Sequence, residues 1–163
     1  MQNRYWSSMT DKKYNLFYIQ LHFNKVVMVN RAIKIIMAIA SCSSIAAWTI
    51  WQHYAYVWGV IIAVSQVIGA INEFLPYQKR IEELSNLESE WSVVFLSMEK
   101  KWYSVANGKL TDNEINDLLF EFENDWNIIS DKYFKEDALP QVEKYQKIAN
   151  EQMVEYIKQR YGE

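Results

Sequence analysis

The chain is poor in the residues that punctuate or staple small folds. Its 163 residues include one cysteine (Cys42), two prolines, four glycines and two histidines. A single cysteine excludes an internal disulfide framework and a cysteine-based zinc site. So few glycines and prolines argue against all-β, collagen-like and low-complexity chains. His22 lies in an amphipathic stretch and His53 among aromatic residues, so neither joins a triad or a metal site. There is no G-x-S-x-G elbow, no glycine-rich phosphate loop and no H-E-x-x-H pair. Glu82, Glu83, Glu88 and Glu90 read as a solvated helix face rather than paired acid–base carboxylates. The expectation is a protein that is not an enzyme and uses no cofactor and no metal.

Charge is missing over one long block. Residues 35–72 carry no charged side chain, in a chain whose formal net charge is -3. Residues 1–34 hold six basic side chains and one acidic, and residues 73–163 hold 11 basic and 19 acidic. One membrane crossing takes roughly 20 apolar residues. The uncharged block therefore reads as two short spans, 35–51 and 56–71, joined by a turn at 52–55. Helices are the form expected for them, because lipid offers backbone groups no hydrogen-bond partners. Trp48, Trp51, Tyr54, Tyr56 and Trp58 crowd the turn, as rings do at headgroup level. Lys25, Arg31 and Lys34 precede the first span, Lys79 and Arg80 follow the second, and the turn has no Lys or Arg. The positive-inside rule then places both termini in the cytoplasm. A cleaved signal peptide fits poorly, since few apolar residues precede Ala38-Ile39-Ala40. A buried soluble hairpin fits poorly too, since it would leave outer helix faces without charge.

The flanking sequence is helical in pattern. Thr10-Asp11 can cap a helix whose apolar residues run from Leu16 to Ala32, with Lys12, Lys13, Gln20 and Asn24 as its polar residues. This basic amphipathic segment either lies along the membrane or packs on the cytoplasmic helices. Beyond Pro76, a kink or restart, Ile81, Leu84, Leu87, Trp91, Val94, Met98, Trp102 and Val105 step by three or four, as in a coiled-coil seam. That seam is either intramolecular core or an oligomer stalk. Asn107-Gly108 is a helix stop, and Thr111 with Glu114 matches a capping box. Further apolar rows follow at 115–133 and 142–157, with a turn at 137–140. The expected fold is all-α: a basic amphipathic helix (1–34), a two-helix transmembrane hairpin (35–75), and a cytoplasmic helical bundle or stalk (76–163) that oligomerises.

Three features can carry function. Ser41, Ser44, Ser65, Gln66, Asn72 and Glu73 put polarity inside or beside the spans. An amide in lipid is costly unless it meets protein or water, which makes these residues candidates for a pore lining. Small-xxx-small pairs such as Ser65-xxx-Gly69 supply the alternative, plain helix packing. Two spans cannot enclose a channel, so a pore needs several copies, and a ring of Glu73 carboxylates would favour cations. The seam is the second feature. The third is aromatic-basic clustering: Lys100, Lys101, Trp102 and Lys109 in one place, Lys144, Lys147, Lys158, Arg160 and Tyr161 in another. Cations beside exposed rings can hold phosphates and stack bases. The acidic surroundings oppose nonspecific nucleic-acid binding but leave room for a short, recognised oligonucleotide.

The aromatic-basic segment from Tyr14 to Arg31 is followed by Ile36-Met37-Ala38-Ile39-Ala40-Ser41-Cys42-Ser43-Ser44-Ile45-Ala46-Ala47-Trp48, a close second span and a helical tail. Over residues 5–105 this resembles the SLATT-like two-span effectors of bacterial nucleotide-linked anti-phage systems, above all the transmembrane effectors of Hailong defence. The resemblance implies an oligomeric pore or membrane-disrupting effector that arrests growth by depolarisation. It also implies control by a short oligonucleotide or a cyclic nucleotide made by a partner nucleotidyltransferase. The expected partners are thus the lipid bilayer, further copies of the chain and that nucleotide. The competing expectation is a noncatalytic membrane anchor or scaffold that recruits a soluble partner through its tail. A holin-like lysis protein, a third reading, has little need of so long a patterned tail.

Overall fold

The computed structural model describes residues 1–50, 55–74, 77–134 and 139–162, with side chains described except at 40–50, 55, 58, 61 and 71–74. The described residues form five α-helices and no strand: α1 (Gln2–Ile50), α2 (Ala55–Phe74), α3 (Tyr77–Ala106), α4 (Asp112–Phe134) and α5 (Glu143–Tyr161). The all-α expectation holds. The chain forms two compact units, one of Met1–Phe23 with Glu83–Glu163 and one of Asn24–Glu82. Helix α1 contributes to both.

The first unit is a helical bundle with a packed interior. Tyr5, Met9, Leu16 and Ile19 of α1 are buried with Leu84, Leu87, Trp91, Val94, Phe95, Met98 and Val105 of α3. Ile115, Leu119, Phe122 and Trp126 of α4 and Ala149 of α5 complete the core. The seam is therefore intramolecular core. Trp91 stacks on Trp126 with ring centroids 4.2 Å apart, locking α3 to α4. Glu90 of α3 reinforces that pairing, accepting from Lys132 Nζ at 2.6 Å and from the Tyr133 hydroxyl at 2.8 Å.

Helix boundaries follow local chemistry at two places and override it at a third. Helix α3 stops where Gly108 takes φ 64°, with Lys109 N–H donating to the Ser104 carbonyl and Gly108 N–H to that of Val105. Glycine enters that left-handed region without a Cβ penalty, and the two bonds satisfy carbonyls the helix leaves open. Helix α4 begins with the expected reciprocal cap. Thr111 N–H donates to Glu114 Oε2 at 2.8 Å, and Glu114 N–H donates back to Thr111 Oγ1 at 3.3 Å. Helix α1, in contrast, starts at Gln2 and runs through Thr10, whose hydroxyl donates to the Ser7 carbonyl within the helix. The cap expected at Thr10-Asp11 is thus corrected. Burial of Tyr5 and Met9 in the core holds the first turns helical and outweighs the local capping preference.

The second unit differs in kind. None of its described side chains is buried. Ile35, Ile36 and Ile39 of α1 and Tyr56, Val57, Val60, Val64 and Val67 of α2 are exposed. The two helices approach at Gly69, where an added Cβ would stand 3.7 Å from Met37 Cε, ordinary contact distance. Nothing described lies within 4 Å of the matching point at Gly59. Among the described residues, no helix is long and apolar enough to cross a membrane. Much of the expected first span, the turn at 52–54, the Pro76 restart and the first half of the turn at 137–140 lie outside the described residues or side chains.

Candidate functional site

The pore-lining candidates divide by what is described. Ser65 is half-buried and Gln66 exposed, both on α2. The side chains of Ser41, Ser44, Asn72 and Glu73 lie outside those described. Asn72 and Glu73 follow Gly69 by about one helical turn, and Lys34 precedes Met37 by about one turn.

The ligand-binding candidates do not converge. Lys100, Lys101 and Lys109 are exposed, whereas the Trp102 ring is half-buried against α1. It stacks on Tyr5 at 6.0 Å between centroids and tilts against Trp6 at 4.8 Å. Successive helical residues turn by about 100°. The run Lys100-Lys101-Trp102-Tyr103 therefore fans out around α3 instead of forming one patch. Lys109 meets the neighbouring ring, its Nζ 5.1 Å from the Tyr103 centroid.

The bundle instead gathers rings and charges between α1, α3 and α5. Trp6 bridges Trp102 and Tyr161, the latter edge-on at 4.9 Å. Beside it runs a shallow groove of about 240 Å³ lined by Trp6, Thr10, Met153, Val154, Ile157 and Lys158. This groove offers an aromatic edge, apolar walls and one ammonium. Sequence reasoning found Lys158, Arg160 and Tyr161 but missed Trp6, because the helix expected to begin at Thr10 extends back to Gln2 and carries Trp6 with it. The available signal was the row Trp6, Lys13, Phe17, spaced by seven and four.

Deeper in the same region, Glu99 accepts from the Tyr156 hydroxyl at 2.5 Å and from Tyr161 at 3.0 Å, with Arg160 Nε at 3.4 Å. Burial pushes this carboxyl up, but the two phenols and the guanidinium together hold it below the usual carboxylate range. Lys13 Nζ sits in a cage of rings, 4.1 Å from Tyr156 and 4.8 Å from both Phe17 and Phe95. Burial lowers its amine below the ordinary lysine value, and the Glu99 charge opposes that. Lys12 Nζ lies 4.9 Å from the Trp126 ring. Two cations expected on an amphipathic surface are thus taken up by the bundle's rings.

His22 is buried between the rings of Tyr18 and Tyr145, 4.8 and 4.9 Å away, as a packing residue. Among the described residues, no group of three or more His, Cys, Asp or Glu is placed to hold a metal ion. No family model, no curated protein and no solved structure matches this chain.

Proposed function

We propose that the chain is a membrane-embedded, oligomeric effector whose second unit sits in lipid and conducts ions, under control of a nucleotide signal received by the first unit. The single observation that carries this reading is the contrast between the units. The first unit holds a buried apolar core, while the second has no buried side chain among those described and leaves its apolar residues exposed along both of its paired helices. Exposed apolar surface of that extent calls for an apolar surrounding. The cationic residues Lys25, Arg31, Lys34, Lys79 and Arg80 all belong to the second unit and border its uncharged stretch, as expected on the cytoplasmic side.

Within this reading, Gln66 and its neighbours on α2 face a water-filled path shared by several copies. The activity is growth arrest of an infected bacterium by depolarisation, as the likeness to anti-phage effectors implies. The signal is a short oligonucleotide or cyclic nucleotide from a partner nucleotidyltransferase. The groove beside Trp6 suits one, since a ring can stack a base and Lys158 can reach a phosphate. Such a signal gates the assembly only through different affinity for closed and open forms.

The test is conductance. Cells expressing the chain, with and without its genetic neighbour, are followed with a potential-sensitive dye. Depolarisation in one of those states supports the reading, and normal potential in all of them rejects it. Trp6→Ala abolishes the effect of the nucleotide while leaving membrane association intact; an unchanged response removes the groove from the mechanism.

A further inference from the structure

We propose that copies join head to tail through the first unit, the outer row of α3 in one chain docking on the outer row of α4 in the next. This deepens the oligomeric part of the function above and rests on it, but not on the placement in lipid.

Helix α3 carries two rows. Its core row is buried, and on the opposite side Val93, Leu96, Lys100 and Tyr103 step by three, four and three. Those three apolar residues are 63, 60 and 67% exposed. The row holds no acid, and Lys109 adds a second cation over the Tyr103 ring. Helix α4 repeats the spacing with the opposite charge. Asp117, Glu121, Asn124, Ile128 and Asp131 step by four and three away from its buried row, with Phe120 alongside. Phe120 and Ile128 are 56 and 59% exposed. Lys132, next to Asp131, is engaged by Glu90, so it does not neutralise this row. Arg4 covers one end, its guanidinium 5.6 Å from the Phe120 ring.

Rows at heptad spacing with apolar residues between charges are the pattern by which helices pair. Neither row suits itself. Placing α3 on α3 sets Lys100 and Lys109 against their own kind, and α4 on α4 sets carboxylate against carboxylate, which disfavours both pairings. Each suits the other, and one chain carries both. The complement of each copy is therefore a second copy, and the contact is heterologous. Repeated, such a contact closes into a ring when its rotation divides a full turn. A ring is also what two-span subunits need in order to surround a path.

The test uses disulfide trapping in the full chain in detergent, with Cys42→Ser removing the single native cysteine. Leu96→Cys and Ile128→Cys are made singly and together, and oxidised. The double variant gives a ladder of dimer and higher species at least tenfold above either single, and a mixture of the two singles gives dimer alone. Crosslinking of either single variant to itself overturns the proposal, because it marks a twofold contact. Sedimentation as an oligomer with no ladder from the double variant also overturns it, while leaving the oligomeric reading intact. A monomer by sedimentation sinks both. Lys100→Glu lowers the oligomer fraction at least threefold, and adding Glu121→Lys in the same chain restores most of it; an oligomer indifferent to Lys100→Glu contradicts the proposal.

Discussion

Glu99 and Lys13 border the same rings, and burial works against the charge of each. For Glu99, hydrogen bonds from Tyr156 and Tyr161 and the Arg160 charge outweigh burial and depress the carboxyl. A depressed acid stabilises the fold above its ordinary value, about 4.3 for glutamate, and that contribution is lost as pH falls through the folded-state value. Glu99→Gln therefore flattens the acid side of the stability profile and costs about 1–3 kcal/mol at neutral pH, since two half-buried donors lose a charged acceptor. Denaturant unfolding of the full chain between pH 7 and pH 3, followed by tryptophan fluorescence, measures both; an acid limb like the parent's removes Glu99 from this role. For Lys13 the sign is reversed. Its depressed amine favours folding more as pH rises towards about 10.4, the ordinary lysine value. The stability difference between parent and Lys13→Met therefore moves in the parent's favour as pH rises from neutral towards that value, read as the difference between the two pH profiles. At the core, Trp126→Ala removes the ring stacked on Trp91 and costs about 3–5 kcal/mol. Trp91→Phe costs less than its lost volume implies, because the buried Trp91 Nε1 has no hydrogen-bond partner among the described residues.

At the scale of elements, the chain is legible wherever one strong local signal acts alone. The α3 core row from Leu84 to Val105, the stop at Gly108 and the cap of Thr111 with Glu114 all stand where their residues put them. Local signals mislead where a distant partner decides. Thr10 is a good cap by type, but Tyr5 donates to the Met98 carbonyl at 2.9 Å and the helix extends back past Thr10 to keep that contact. Trp102 looks like a platform beside two lysines, yet helical rotation turns it onto Tyr5 and Trp6. The second, exposed row on α3 was hidden because Val93, Leu96 and Tyr103 alternate with core residues of similar hydrophobicity. In the second unit, the approach at Gly69 predicts that Gly69→Ala is tolerated, since its Cβ would meet Met37 at ordinary distance. Gly69→Leu forces the helices apart. A disulfide or fluorescence reporter across α1 and α2 measures the separation, and equal behaviour of the two variants contradicts this packing.

For the whole molecule, the division of labour between a packed bundle and an apolar helical pair is the account's core. Gln66→Leu alters conductance without changing how much protein reaches the membrane, because Gln66 faces the shared path in this reading. On the same reading, a C-terminal reporter active only in the cytoplasm is predicted to give signal, following the positive-inside placement of the cationic flanks. Both outcomes presuppose that the second unit is in lipid. Alkaline carbonate extraction of membranes from cells expressing the full chain tests that most directly: the protein is predicted to stay in the pellet after washing and to leave it only with detergent. Recovery in the carbonate supernatant would contradict the account.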